Sequence, residues 1–594
     1  MGWPYHIISL TESQVQERRV LLDRYGVYAQ LSALVPVIFY QLYRLAVWVS
    51  LVRRRSKDSV LPSSPDLKVR RGGTEGVLVR KWRATKWWLG GEVAEGWGSR
   101  GHWVAGGAWA TWLLLLCVRE TGEDYFHLTK RFGVIAASQL PLHYMLSMKS
   151  VYSPLALVFR ASHEELNPWH RLSGRIIYGL LLCHAAWYLN FFVLAGLLQK
   201  RLADPVVMIG ILGIIMLTIL SSTSLEAVRR WSYRVFFVTH LIIGVTLMPL
   251  LFFHASPLRI YVVEALVLFI FDIACRKLDT ITGFATIAQI PNTTLIQVTI
   301  PVPQSKIRRF AAAPGQHVYL QIPAESTPPN TGSPSIHDLC YNPFTIASVS
   351  PADATITLVL RALNGPTTTA LSALTRLSKA RPPLNIEGPL GGSRHFPNLA
   401  RDYDRILLVA GGVGATFALP IYASVKEQLI AEGKYPDRVS LTWSLRSTAE
   451  AAWTADYHPA SSSSLRALDD ENISVFLTHG PSPRDGREEL LPVDGAGVGV
   501  SVEMGDLRNP SADADAEGEG EGNTKMHSGL GLAGRGRPDL RRVVDGVFRL
   551  GREERVAVLV CGPASMAREV RAHVGRWVKG RGRDVWWHDE GFGW

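Results

Sequence analysis

Cysteine is scarce in this chain: five in 594 residues, at Cys117, Cys183, Cys275, Cys340 and Cys561. None forms a CxxC pair and no metal-ligand spacing links them, so neither a disulfide framework nor a zinc site is expected. No loop of the D-x-D-x-D-G type occurs, which argues against calcium regulation through an EF-hand. The flank before the first apolar run is no cleavable signal peptide. Large apolar residues are sparse between Pro481 and Pro538, where acidic DADAEGEGEG gives way to GRGRPDLRR. That stretch reads as a disordered insertion with no catalytic role.

Elsewhere apolar residues are abundant, 47% of the chain with a mean hydropathy of +0.10, and they are clustered. Candidate membrane spans are Val27–Leu51, Trp103–Val118, Phe132–Met148, Leu172–Leu194, Pro205–Ser224, Arg234–Phe253 and Leu258–Ala274. The net charge of +12 could point to nucleic acid, but Arg53-Arg54-Arg55, Arg229-Arg230 and Arg276-Lys277 abut span ends. This is the positive-inside pattern, so the partner is a lipid bilayer and no nucleic acid is expected. It places residues 1–26 outside the cytosol, a transmembrane helix at 27–52, a basic Trp- and Gly-rich cytosolic loop at 53–102, six helices at 103–275, and the remainder in the cytosol. The indoles of Trp82, Trp87, Trp88 and Trp97 are expected near lipid headgroups.

Two of the spans repeat one spacing. His170 and His184 stand in HRLSGRIIYGLLLCH, and His240 and His254 in HLIIGVTLMPLLFFH, fourteen residues apart in each. Fourteen helical residues rise about 21 Å and turn about 40° short of four circles, so each pair looks from one face at two depths. With one span between them the two helices run parallel, which levels His170 with His240 and His184 with His254. Facing imidazoles are suitable axial ligands for haem iron, and a bilayer core of about 30 Å has room for two. The alternative is that each histidine is a hydrogen-bonded structural residue, the reading taken for His102, His127, His143 and His163. Pro249, between His240 and His254, could kink its helix and spoil the register. Arg171, Arg175, Arg230 and Arg234 at the inner ends read equally as haem-propionate partners or as boundary residues.

After Lys277 the pattern changes to short β-rich runs, TLIQVTI (294–300), HVYLQI (317–322) and TITLVLRAL (355–363), whose spacing suits a small antiparallel barrel over 280–400. From 401 to 594 it becomes α/β. RILLVAGGVGATFALPIYASV reads as buried strand, glycine turn and helix, and RVAVLVCGP (555–563) ends in strand then glycine. Parallel strands sharing one C-terminal edge make a dinucleotide site the natural reading.

Taken in this order, the paired histidines and the motifs behind them resemble the fungal ferric-chelate reductases of the ferric reductase and NADPH oxidase superfamily. YNPFTIAS (341–348) is similar to the family's flavin motif HPFTIAS, with Asn342 in place of His; Pro343, Phe344, Thr345 and Ser348 match. Arg361, Gly365 and Thr367 resemble the segment that holds the FAD phosphates, and EGPLGG (387–392) resembles EGPYG with Leu390 for Tyr. VAGGVGAT, with Gly411, Gly412, Gly414 and Thr416, resembles the nicotinamide-nucleotide loop, and Cys561-Gly562-Pro563 the loop near the nicotinamide. Arg446 is a candidate for the 2′-phosphate, favouring NADPH. HDEGFGW is similar to the ending HEESFGW, which implies that Phe592 or Trp594 covers the flavin.

The resemblance implies a multi-pass α-helical membrane domain with bis-histidine b-type haems, then a ferredoxin-reductase-like module of FAD barrel and NADPH α/β domain. Electrons would pass from NADPH through FAD and two haems (His170 with His240, then His184 with His254) to Fe(III) chelates or Cu(II) across the membrane. An iron permease/oxidase system would take up the product, and the plasma membrane is the default site. A superoxide-producing NADPH oxidase built from the same parts is the alternative enzyme. A degenerate membrane scaffold is the non-enzymatic one.

Overall fold

The computed structural model describes residues 5–58, 74–326, 341–376, 381–454, 469–478, 532–550 and 554–591. The first half is helical. α1 (Glu12–Ser32) opens on a capping box between Thr11 and Gln14, and α2 (Leu34–Asp58) follows a break at Ala33. Then come α3 (Thr74–Leu89), α4 (Arg100–Val118), α5 (Tyr125–Ser138), α6 (Leu140–Ser147) and a short α7 (Pro154–Phe159). The long α8 (His163–Leu194) is followed by short α9 (Leu198–Leu202), α10 (Pro205–Thr223), short α11 (Glu226–Trp231), α12 (Tyr233–His254) and α13 (Arg259–Asp279).

Among the described residues five stretches are long and apolar enough to cross a membrane: Glu12–Val49, Arg100–Val118, His163–Leu194, Pro205–Thr223 and Tyr233–His254. The expected span Phe132–Met148 is instead two helices, broken at Gln139, because Pro141 has no N–H to continue the ladder. α5 also begins seven residues before its apolar run, at Tyr125. Its Arg131 is fully buried, with its guanidinium 3.9 Å from the ring centre of Tyr25 in α1 and donating to the Leu116 carbonyl of α4 at 3.2 Å. Protein rather than lipid therefore surrounds α5. The expected last span lies inside α13, whose Glu264 meets Gln30 and whose Asp272 accepts from the Lys149 and Ser150 amides.

A second correction concerns 53–102, expected to be a loop at the headgroups. It contains α3, which docks on the C-terminal domain. Trp87 packs edge-on against Trp587 with ring centres 5.8 Å apart and lies under Arg571, whose guanidinium is 4.3 Å from its ring and donates to the Trp87 carbonyl at 3.0 Å. Arg83 pairs with Asp584 at 2.9 Å. An indole offered both an aromatic edge and a cation has a better site there than at a lipid surface.

The second half begins with an antiparallel sheet in the order β1 (Ile281–Phe284), β7 (Pro383–Leu390), β4 (His317–Gln321), β5 (Asn342–Ser350), β6 (Thr355–Arg361), β3 (Leu295–Pro301), β2 (Thr286–Gln289). It nearly closes on itself: a Cβ on Gly283 of β1 would stand 2.6 Å from the Pro301 carbonyl of β3. Helices α14 (Gln304–Ala311) and α15 (Pro366–Thr375) lie against this barrel. After short α16 (Leu399–Asp402) comes a parallel sheet in the order β11 (Leu532–Arg535), β10 (Ile473–Leu477), β9 (Val439–Leu445), β8 (Arg405–Gly411), β12 (Val556–Cys561), β13 (Val585–Glu590). Helices α17 (Ala415–Ala431), α18 (Leu540–Arg549) and α19 (Ala564–Arg581) join its strands. Ala347 and Val359 of the barrel share one core with Phe417 and Ile421 of α17, so the two modules are packed as one.

The expected insertion 481–538 needs correcting at its end. Residues 481–531 lie outside the described residues, but β11 falls within the stretch and pairs in parallel with β10. The open edge of β10 offers a backbone ladder that the short run Leu532-Ala533-Gly534-Arg535 can join.

Candidate functional site

The helix bundle brings the four spaced histidines together in two facing pairs. His170 of α8 and His240 of α12 have ring centres 6.1 Å apart, and His184 and His254 6.4 Å apart. α12 runs unbroken through Pro249. A metal ion bonded to one nitrogen of each ring, at about 2 Å per bond, needs ring centres about 6 Å apart.

Each ring is also held by its other nitrogen. Nδ1 of His170 lies 3.1 Å from the His143 carbonyl, that of His184 2.8 Å from Thr129 O, and that of His254 3.0 Å from Val206 O. Nδ1 of His240 is 3.2 Å from Ser224 Oγ, whose own hydrogen goes to Leu220 O. Because carbonyls only accept, Nδ1 carries the proton and Nε2 keeps a free lone pair, the tautomer of a metal ligand. Small residues make the room: a Cβ on Gly133 would stand 2.9 Å from the His184 ring, and one on Gly210 2.8 Å from that of His254. The residues present fit two bis-histidine haems.

His143, assigned a structural role on spacing alone, stands within this site. Its ring stacks on His170 at 4.1 Å and 17°, and its Nδ1 donates to Ser173 Oγ at 2.8 Å. No spacing rule could find it, because α6 reaches His170 through the break after α5. Of the four inner arginines, Arg230 pairs with Glu226 and Glu95, and Arg175 lies over Trp103 at 5.5 Å.

In the barrel, β5 carries the flavin-like motif. Pro343, Phe344 and Thr345 pair with Tyr319, Val318 and His317 of β4, and Ser348 lies opposite Thr357 of β6 after a bulge. Asn342, the departure from the family motif, donates to Thr367 Oγ1 at 2.5 Å and so ties β5 to the first turn of α15, just after Gly365. That turn is not capped by a side chain, and its amides are a ready seat for phosphate. Arg361 is not free: Nη2 pairs with Glu450 at 2.8 Å, beside Gly412.

The glycine loops meet where the strand order of the parallel sheet reverses. β8 is the first strand of the domain, its successors run one way and β12 lies on its other side, which makes the β8/β12 crevice the topological switch point. Gly411, Gly412 and Gly414 end β8, and Cys561, Gly562 and Pro563 end β12. A Cβ on Gly414 would fall 2.2 Å from the Cys561 carbonyl oxygen, so only glycine fits. Gly412 has φ +54°, and its carbonyl accepts from Trp443 Nε1 at 3.0 Å. Thr416 Oγ1 donates to Val413 O. Burial holds the Cys561 thiol well above its ordinary pKa, so it stays protonated at neutral pH. The Arg446 side chain is exposed at the end of β9 and has no ion-pair partner among the described residues. Phe592 and Trp594 lie outside the described residues. Sequence reasoning missed Trp443 and Glu450; the latter pairs with Arg361 and accepts from the Arg446 amide at 3.3 Å.

Three family patterns match in chain order: "Ferric reductase like transmembrane component" over 132–253, "FAD-binding domain" over 283–394 and "Ferric reductase NAD binding domain" over 403–575. The chain is 24% identical over 349 residues to a probable metalloreductase AIM14 of Candida dubliniensis, covering 56% of this chain and 59% of that one. A protein of the same name from Meyerozyma guilliermondii is 25% identical over 471 residues, with coverage of 78% and 84%. Ferric/cupric reductase transmembrane component 2 of Schizosaccharomyces pombe is 24% identical over 362 residues, with coverage of 53% and 61%. The first and third matches thus span about three fifths of those relatives' length. A histidine-bearing helix bundle, a barrel and a parallel sheet with glycine loops at its switch point, each matched by its own pattern, place this membrane protein in the fungal ferric reductase family, with FAD- and NAD-binding domains behind its transmembrane component.

Proposed function

We propose that the chain carries electrons from NADPH on the cytosolic side, through FAD and two b-type haems, to an Fe(III) chelate or Cu(II) on the far side of the plasma membrane, in the service of metal uptake. An iron permease/oxidase system is the partner that would receive the Fe(II). The observation that carries this reading is the pair of facing histidine couples, each of the four rings anchored at Nδ1 with Nε2 left to bond.

When bound, the flavin takes a hydride and gives up electrons singly, which haem iron accepts one at a time. The chain's residues bind and orient around that chemistry. His170 with His240 hold the inner iron and His184 with His254 the outer. Thr345, Ser348, Pro343 and Phe344 seat the flavin, and Gly365, Thr367 and Arg361 its phosphates. The glycines at 411, 412 and 414, with Thr416, admit the nucleotide backbone, Arg446 receives the 2′-phosphate, and Cys561, Gly562 and Pro563 face the nicotinamide. By the resemblance of the C-terminal motif, Phe592 or Trp594, outside the described residues, is the candidate for the aromatic cover of the flavin ring.

The test is spectroscopic. The purified chain should show flavin fluorescence and a bis-histidine haem spectrum with two haems per chain, and NADPH without oxygen should reduce both. Ferrous chelate should then form faster than superoxide. A chain with no haem band contradicts the proposal, and superoxide as the main product redirects it to an oxidase.

A further inference from the structure

Besides the pairs that Lys306 and Arg309 of α14 make with Asp279 of α13, three contacts between the barrel and the helix bundle leave one patch on two neighbouring strands. His317 and Tyr319 are two apart on β4 and so share a face, and Tyr319 lies opposite Glu387 of β7. Each meets a different part of the bundle. His317 Nε2 is 3.0 Å from Glu164 Oε1 at the start of α8. The Lys149 ammonium, in the turn after α6, is 4.6 Å from the ring centre of Tyr319. Arg276, at the end of α13, reaches Glu387 Oε2 at 2.8 Å. Asp272 binds the set together: it accepts from the Lys149 and Ser150 amides at 3.0 and 2.8 Å and lies 3.8 Å from Arg276.

The position of this patch is informative. His317 pairs with Thr345, in the flavin-like motif of β5. Glu164 precedes His170 on the same helix by about 9 Å of rise. His317 is 3% exposed, and its Nε2 faces the Glu164 carboxylate at 3.0 Å. A buried imidazole facing a carboxylate across a module boundary adds little to either module's own core. It fixes one module on the other.

We propose that this face of β4 and β7 is the electron-delivery plane, and that Glu164 and His317 are its positioning pair, setting the flavin-bearing barrel against the helix that holds His170. The inference rests on the function proposed above. The step concerned is a single-electron transfer in which Fe(III) becomes Fe(II) at the expense of reduced flavin, with no heavy-atom bond made or broken. The pair touches neither reactant and acts by holding distance.

The test uses the full chain in lipid nanodiscs, native and as Glu164→Gln, His317→Gln and the double variant. Flavin and haem reduction are followed together after mixing with NADPH without oxygen, and hydrogen exchange is read at His317–Gln321 and Pro383–Leu390. Glu164→Gln should leave flavin reduction by NADPH unchanged. Each single variant should slow flavin-to-haem transfer roughly tenfold and speed exchange in both strands, and the double should be no slower than either single, as coupled partners behave. Native transfer rates in the single variants, losses that multiply in the double, or unaltered exchange would overturn the proposal. A native chain without a haem band would sink the proposed function itself, a result distinct from normal haem reduction in the variants.

Discussion

Gly414→Ala tests the nucleotide crevice most sharply, because the structure states what the added methyl would meet. Its Cβ would lie 2.2 Å from the Cys561 carbonyl oxygen and 2.7 Å from its carbonyl carbon. Both are backbone atoms of β12, which is in register with β8 from Val556 opposite Arg405 to Cys561 opposite Ala410. No side chain can swing away, so the glycine loop must lift or the strand end must part. Overpacking of this kind costs about 1–3 kcal/mol. For a domain of this size that lowers the melting temperature by about 2–4 °C per kcal/mol. The two loops that would admit the nucleotide are the ones forced apart, so KM for NADPH should rise about tenfold, equivalent to about 1.4 kcal/mol of lost binding. Gly546→Ala is the control: this exposed glycine lies inside α18 with nothing within 4 Å of its Cβ. There the change should stabilise by about 0.5–1 kcal/mol and leave KM alone. The measurements are thermal melts and NADPH titrations of flavin reduction. A Gly414→Ala chain that melts and titrates like the native one would refute the close approach of the two loops.

Three further outcomes follow from other parts of the molecule. Arg446→Ala should lower kcat/KM for NADPH about tenfold or more while sparing NADH, since a charge-assisted contact contributes about 1.5–3 kcal/mol; an unchanged preference would remove Arg446 from the phosphate site. Trp87→Ala deletes an aromatic pair and a cation contact together contributing about 1–3 kcal/mol, so amides of Thr74–Leu89 should exchange faster, and equal exchange would mean that α3 does not depend on this indole. Docking of the barrel should also depend on pH. Burial opposes a charge on His317, but Glu164, aided by Glu590 and against Lys149, outweighs it and holds the imidazole above its ordinary 6.5. A raised folded value means stabilisation fully present below about 6.5 and lost as pH rises through the folded value. Protection at β4, once the intrinsic base catalysis of amide exchange is divided out, should therefore fall toward alkaline pH in the native chain but not in His317→Gln, and a native protection independent of pH would show that the imidazole is uncharged.

What could be read from the sequence was whatever repeats with a local period. The fourteen-residue spacing placed His170 opposite His240 and His184 opposite His254 because it depends only on helix geometry and on parallel spans. The glycine loops were legible because a strand, a tight turn and a helix are contiguous in sequence. What escaped depended on contacts distant in the chain. Trp87 reads as a headgroup indole until Trp587 and Arg571 are beside it, and β11 reads as disorder until β10 offers it an edge. The break at Gln139 was signalled by Pro141, but hydropathy averaged across it. The expected span began only at Phe132, yet inside the bundle the preceding Arg131 is a buried member of α5. His143 had no partner at the repeated spacing, and its role emerges only where α6 passes α8.

The central claim is vectorial electron flow through the two histidine couples, and sealed vesicles with the FAD- and NAD-binding domains facing the NADPH and Fe(III) chelate on the other side test it directly. The native chain should form ferrous chelate across the membrane. His184→Ala and His254→Ala should each abolish it while NADPH-driven flavin reduction continues at the native rate. Undiminished transmembrane reduction in these variants would show that the paired histidines are structural and that electrons take another route.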